Sequence, residues 1–143
     1  MSLNAQAKVL RALEEKKIQR VGSDKNIKVN VRVIAATNKD LNKEISEGNF
    51  REDLYHRLAV ILIKVPSLDE RKEDIELLSN YFIKNLSNQQ GVEIKTISDN
   101  ALSMLKAYNW TGNIRELRNV IERLIILGDN PISVDDIKKY AAK

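Results

Sequence analysis

The 143-residue sequence lacks the residues that build disulfides and most metal sites. It contains no cysteine and a single histidine, His56. These absences exclude disulfides and thiolate metal sites, and they argue against a histidine-based metal site. No apolar run approaches the roughly 18 residues of a membrane-spanning helix, and no signal-peptide pattern opens the chain. We therefore expect a cytoplasmic protein with no membrane contact and no metal ligands of its own.

Several catalytic motifs are also missing. The sequence has no Gly-x-x-x-x-Gly-Lys-[Ser/Thr] loop to cradle phosphates and no apolar strand ending in paired carboxylates for magnesium. It has neither a Gly-x-Ser-x-Gly elbow nor a His-Glu-x-x-His pair. We expect these residues alone to hydrolyse nothing and to hold no cofactor stably.

What the chain does contain suits a folded protein. Its hydrophobic content of 43% is enough for one domain or two small subdomains. Lys and Arg number 24 against 20 Asp and Glu, and the charges are interspersed. This mild excess permits nucleic-acid contact without favouring it.

The first part, residues 1–66, reads as mixed α/β. After a helical stripe from Ala5 to Leu13, two strands at 18–21 and 27–36 flank a turn-rich loop and predict a hairpin. A further apolar strand is predicted at 60–65, where Pro66 ends it.

The second part, residues 67–143, reads as an all-helical subdomain. Apolar residues recur at helical spacing within 75–86 and in three later segments that Ser98, Asn113 and Ser133 would cap. Glu116 stands where a capping box with Asn113 would need it. Trp110 is expected to plug the core of this bundle.

Two arginines border an apolar stripe within residues 50–58. Phe50, Leu54 and Leu58 repeat every four residues, and Arg51 and Arg57 fall at the two edges of that stripe. Arginine is always charged and forks onto carboxylates or phosphates. The pair therefore serves either as intrachain salt bridges or as a contact to a partner.

Three more residues are candidates for ligand contact. Thr37 and Asn38 end the predicted second strand, at the edge where α/β sheets bind ligands, although they could simply cap the strand. Arg115 lies in the first turn of a helix, where a cation opposes the helix dipole. It is either solvated, paired with Glu122, or held there for a reason outside the helix.

Three motifs in order resemble the AAA+ ATPase domain of bacterial enhancer-binding proteins. They are Val-Ile-Ala-Ala-Thr-Asn at 33–38, Gly-Asn-Phe-Arg-Glu-Asp-Leu-Tyr-His-Arg-Leu at 48–58 and Trp-Thr-Gly-Asn-Ile-Arg-Glu-Leu at 110–117. These proteins are sigma-54-dependent transcriptional activators, many of them two-component response regulators of the NtrC type. The resemblance covers the second half of that ATPase domain, and the family's Walker segments would precede Gln6.

The resemblance implies a role for each candidate. Thr37 and Asn38 correspond to sensor I, Arg51 and Arg57 to arginine fingers acting in trans, and Arg115 to the sensor II residue of the lid. It further implies ATP and magnesium in the whole protein, a hexameric or heptameric ring, and sigma-54 RNA polymerase and enhancer DNA as partners. Residues 19–28 resemble the loop that precedes sensor I.

The chain departs from the family pattern at two places. Thr111 replaces the usual proline of the lid motif, and Asp69 replaces the first arginine of the usual Pro-Leu-Arg-x-Arg. Two other functions stay open from sequence: a helical DNA-binding module, which would need clustered cations on one helix, and a nonenzymatic AAA+-like scaffold.

Overall fold

The chain divides into two units, Met1–Lys64 and a second that starts at Val65. The computed structural model describes residues 1–141. The first unit contains α1 (Leu3–Glu15), β1 (Lys17–Gln19), β2 (Asn26–Lys28), α2 (Leu41–Ser46) and α3 (Glu52–Leu58). The second contains a 3₁₀ turn at Leu68–Glu70, then α4 (Asp74–Gln90), α5 (Asp99–Ala107), α6 (Asn113–Leu127) and α7 (Val134–Tyr140).

The hairpin predicted near the start is present but short. β1 and β2 pair antiparallel, with Ile18 opposite Ile27. Gly22 supplies a positive φ of 76° in the intervening turn, a conformation that glycine adopts without strain.

The longer strands predicted at 27–36 and 60–65 are wrong for most of their length. Only the first two residues of 27–36 lie in β2, and residues 60–65 form no strand within the described part of the chain. A strand needs a hydrogen-bonded neighbour, and residues 1–141 supply none for residues 30–36 or 60–65. Their aliphatic side chains are exposed, among them Val31 (69%), Ile34 (86%), Ile61 (74%) and Ile63 (82%).

Short polar residues cap several helices, and the predictions for Ser98 and Ser133 are confirmed. The Asp40 carboxylate accepts the backbone N–H groups of Asn42 and Lys43 at the start of α2. Ser98 and Ser133 cap α5 and α7 in the same way. At α1 the predicted cap, Asn4, is wrong: the helix begins at Leu3, and the cap is Ser2, whose hydroxyl accepts the Ala5 N–H. Each bond satisfies a donor that the first turn would otherwise leave unpaired.

The core of the second unit lies where α4, α5, α6 and α7 meet. Trp110 is fully buried there, and its indole N–H donates to the Leu105 carbonyl at 2.9 Å. The prediction that Trp110 plugs the bundle is therefore confirmed. The buried side chains around it belong mainly to α4 and α6: Ile75, Ile83, Leu86, Leu117, Val120, Ile121, Leu124 and Ile125.

Truncating one of these core leucines should destabilise the second unit. Leu124 is fully buried whereas Leu77 on α4 is 72% exposed, so the two Leu→Ala changes form a matched pair. Leu124→Ala should lower the free energy of unfolding by roughly 2 to 5 kcal/mol, and Leu77→Ala by less than about 0.5 kcal/mol. Urea unfolding followed by Trp110 fluorescence measures both. Equal losses would contradict this packing.

Candidate functional site

The two candidate arginines lie at opposite ends of α3. Arg51 occupies the N-cap position rather than the helix interior that the sequence predicts, and Arg57 lies in the last turn. Leu54, between them, is fully buried. Because α3 packs against α1, the two arginines lie at the ends of a helix that α1 holds in place.

Arg51 forms an intrachain ion pair. Its Nε and Nη2 donate to the two carboxylate oxygens of Asp53 at 3.0 and 2.5 Å. The hydrogen bonds raise the pKa of Arg51 and lower the pKa of Asp53. Both side chains are more than 40% exposed, at 42% and 47%, and an exposed pair adds little to stability. The salt-bridge interpretation thus holds for Arg51 in this structure.

Arg57 contacts the backbone of α1 instead. Its Nη2 donates to the Leu13 carbonyl, at a long distance of 3.4 Å. Leu13 lies in the last turn of α1, where carbonyls lack helical partners and carry partial negative charge. The Arg57 side chain remains exposed.

Gln6 of α1 is a site residue that the sequence reasoning missed. It is 1% exposed and hydrogen-bonds the backbone of Asn49 and Arg51. The available signal was its register: Gln6 shares a helical face with Val9 and Leu13, so a polar group stands in an apolar stripe.

Thr37 and Asn38 are both exposed. The Thr37 hydroxyl accepts the Lys39 N–H at 3.0 Å, which closes a local turn rather than a strand end. Within the described residues, no hydrogen bond or ion pair joins Thr37 or Asn38 to either arginine of α3. The geometry therefore leaves the polar groups of Thr37 and Asn38 available to a ligand.

Arg115 projects from the first turn of α6. It is exposed, and among the 141 described residues it has neither a hydrogen bond nor an ion pair. The predicted alternative, a pair with Glu122, is wrong. Glu122 pairs with Arg118 instead, and 3.6 Å separates the Arg118 Nη1 from the Glu122 Oε2. The guanidinium is thus available to an anion.

The start of α6 is built differently from the predicted capping box. Gly112, not Asn113, is the N-cap, and the Glu116 carboxylate accepts the Gly112 N–H at 2.8 Å. A Cβ on Gly112 would lie 2.8 Å from the Glu116 Cβ, so a larger residue there would force the first turn of α6 to shift. Asn113 has a φ of 53° and its side-chain oxygen accepts the Leu68 N–H at 2.7 Å.

Asp69, a departure from the family pattern, has a structural partner. Its carboxylate accepts the Trp110 N–H at 3.0 Å. Together with the bond between Asn113 and Leu68, this ties the 3₁₀ turn to the segment that carries Arg115. Asp69, at the position where the family has an arginine, thus stabilises the start of α6 in this chain.

Metal ligands do not cluster in residues 1–141, where no group of three or more His, Asp and Glu side chains could hold an ion. None of the helices described is long and apolar enough to cross a membrane.

Two family models together cover nearly the whole chain. Residues 1–64 match the sigma-54 interaction domain, and residues 69–143 match the AAA+ ATPase lid domain. The chain belongs to the sigma-54-interacting AAA+ ATPases. The family prediction made from the three motifs is therefore confirmed.

Curated relatives of this AAA+ chain include regulators. It is 48% identical over 132 residues to the regulatory protein AtoC of Escherichia coli, a match over 92% of the chain and 29% of AtoC. It is 48% identical over 122 residues to the transcriptional regulatory protein ZraR of Salmonella typhimurium, over 85% of the chain and 28% of ZraR. The chain thus spans less than a third of these relatives.

Solved structures of NtrX from Brucella abortus share the fold. One, in complex with ADP, superposes with a TM-score of 0.91 at 41% identity, over 100% of this chain and 34% of NtrX. Another, in complex with ATP, gives a TM-score of 0.88 at 42% identity, over 95% of this chain and 32% of NtrX. The predicted fold class, part of an AAA+ α/β core followed by a helical lid, is confirmed.

The ion pair at the start of α3 predicts how Asp53 titrates. The Asp53 pKa should lie below the usual aspartate range, and Arg51→Ala should raise it toward that range because the largest cause of the shift is removed. The pair's contribution to stability is present above the ordinary aspartate pKa and is lost as pH falls through the lowered one. NMR titration of the Asp53 carboxyl measures this. Arg57→Ala is the matched control, and an unchanged Asp53 midpoint in Arg51→Ala would contradict the pairing.

Proposed function

We propose that this chain is the sensor and arginine-finger part of an ATP-driven, sigma-54-dependent transcriptional activator. In the whole protein, ATP hydrolysis in a ring of subunits remodels the sigma-54 RNA polymerase so that promoter DNA opens. The observation that carries the proposal is the exposed arginine pair at the two ends of α3, in a chain whose family is that of sigma-54-interacting AAA+ ATPases.

Arg51 and Arg57 supply positive charge to a nucleotide bound by the neighbouring subunit. Phosphoryl transfer is catalysed mostly by positioning and by stabilising charge on the phosphoryl oxygens. Arg57 gives up only a long bond to the Leu13 carbonyl to reach a phosphate. Arg51 gives up its two hydrogen bonds to the exposed Asp53 carboxylate and makes the same pair of hydrogen bonds to phosphate oxygens. Both exchanges have a low free-energy cost because the bonds lost are solvent-exposed.

Thr37 and Asn38 act as sensor I in this proposal. A hydroxyl and a carboxamide can orient a water molecule or contact the γ-phosphate without adding charge. Both side chains are exposed on a segment without regular structure. Their contact with nucleotide would report whether the γ-phosphate is present.

Arg115 acts as sensor II and contacts the nucleotide of its own subunit. Two hydrogen bonds hold the start of α6: the Asn113 side chain accepts the Leu68 N–H, and the Asp69 carboxylate accepts the Trp110 N–H. The backbone from which Arg115 projects is therefore fixed. Movement of the lid would therefore carry Arg115 with it.

The phosphate-binding loop and the magnesium ligands come from residues outside these 143, because the sequence contains neither. ATP with magnesium is the cofactor of the whole protein. Its partners are sigma-54 RNA polymerase and enhancer DNA in the cytoplasm, and its assembly is a hexameric or heptameric ring. The sequence and structure give the DNA-binding alternative no support, since the cations of α6 alternate with acids and Arg118 faces Glu122.

Removing the second arginine should separate hydrolysis from binding. In the full-length protein, Arg57→Ala should lower the ATP turnover rate at saturation by about a thousandfold or more, since an arginine finger contributes on that order. Nucleotide affinity should stay within about threefold, because the residue acts on another subunit's site. Turnover assays and fluorescent-nucleotide titration measure the two quantities.

Arg11→Ala is the matched control for that experiment. Arg11 is an exposed arginine of the same unit whose partner is Glu15. It should leave both turnover and affinity unchanged. An equal fall in turnover and affinity for Arg57→Ala would contradict action in trans.

The lid arginine should show the opposite behaviour. Arg115→Ala should weaken nucleotide binding by roughly tenfold or more, the value of a lost charge-assisted contact, because it touches the nucleotide of its own subunit. Arg123→Ala, an exposed arginine on the same helix, is the control. Unchanged affinity in Arg115→Ala would exclude the sensor II role.

A further inference from the structure

Gln6 joins α1 to the segment that leads into α3. Its side-chain Nε2 donates to the carbonyls of Asn49 at 2.9 Å and Met1 at 3.2 Å. Its Oε1 accepts the backbone N–H of Arg51 at 2.8 Å. One carboxamide thus holds the backbone on both sides of Phe50, more than forty positions away in sequence.

This polar group is costly to bury. Gln6 is 1% exposed and lies on the face of α1 that carries Val9 and Leu13. An apolar side chain of similar volume would fill the same space without desolvating an amide. What the carboxamide adds is direction, because each of its hydrogen bonds requires one arrangement of the backbone at Asn49 and Arg51.

Gln6 holds the backbone from which the side chain of Arg51, a candidate arginine finger, projects. Arg51 is the N-cap of α3, and its side chain caps no backbone N–H of the first turn. The direction in which the Arg51 side chain leaves the backbone depends on its N–H and on the peptide before it. Gln6 contacts the N–H directly and reaches the preceding segment through the Asn49 carbonyl.

We propose that Gln6 is a positioning residue for the arginine finger Arg51, acting from α1 on its backbone. The inference rests on the proposed function, since it assigns Gln6 a role in the finger's action. Gln6 touches no nucleotide itself. Its loss leaves Arg51 charged and present but aimed over a wider range of directions, and misplacing a catalytic group lowers the rate steeply.

The test is a double-mutant cycle in the full-length protein. Gln6→Met keeps the volume and removes the three hydrogen bonds. It should lower the saturating ATP turnover rate roughly tenfold to a hundredfold, with the KM for ATP nearly unchanged. On an Arg51→Ala background the same change should have almost no further effect, because there is no finger left to position.

Two further variants separate positioning from general stability. Ser2→Ala removes the cap of the same helix α1 without touching Arg51, and it should leave turnover unchanged. Gln6→Glu retains an acceptor for the Arg51 N–H and loses the donors. It should keep more turnover than Gln6→Met, whatever the order of their thermal stabilities.

Hydrogen exchange gives a second measurement that does not depend on catalysis. In the 143-residue chain, Gln6→Met should speed exchange of the Arg51 amide roughly tenfold or more relative to the amides of α1. Unchanged exchange at Arg51 would overturn the positioning role even if turnover fell.

The outcomes distinguish this inference from the proposed function. Full turnover in Gln6→Met beside a large loss in Arg51→Ala overturns the positioning role alone. Additive losses in the double variant, or an equal loss in Ser2→Ala, also overturn it and leave the finger role standing. Unchanged turnover in Arg51→Ala overturns the finger role of that residue and the positioning role with it.

Discussion

The packing of α1 against α3 is the contact on which the arginine site of the first unit depends. Leu54 is buried between the ends of α3, Gln6 holds the backbone of Arg51, and the Leu13 carbonyl accepts from Arg57. One helix therefore contacts the backbone of Arg51 and the guanidinium of Arg57, while both guanidiniums stay exposed. Such an arrangement suits charges that must leave a weak local partner for a stronger one on another molecule.

In the second unit, a different set of hydrogen bonds holds the helix start that carries Arg115. Arg115 lies in the first turn of α6, and hydrogen bonds of Asn113 and Asp69 connect the start of that helix to the 3₁₀ turn. Its apolar core, centred on Trp110, keeps the four helices together. In both units, part-buried hydrogen bonds hold the backbone segment from which an exposed arginine projects.

Local features of the fold could be predicted from sequence, and non-local ones could not. Asp40, Ser98 and Ser133 cap helices because their side chains bond donors two or three residues away. Asn113 was expected to do the same, but its side chain bonds Leu68, 45 residues earlier. The role of Gln6 could not be predicted for the same reason, because its partners Asn49 and Arg51 lie more than forty positions away. The strand predicted to run to Ala36 depends on neighbours that residues 1–141 do not supply, and pattern alone cannot reveal a missing neighbour.

The motifs at 33–38, 48–58 and 110–117 identified the family, while spacing alone left Arg51 and Arg57 open between local pairing and action on a partner. The most direct test of action in trans mixes two full-length variants, each inactive alone. One carries Arg57→Ala with an intact nucleotide site, and the other keeps Arg57 but has a disabled phosphate-binding loop. We expect the mixture to regain ATP turnover, because Arg57 of the second variant reaches the intact site of the first. No turnover at any mixing ratio, with mixed rings shown to form, would contradict the account.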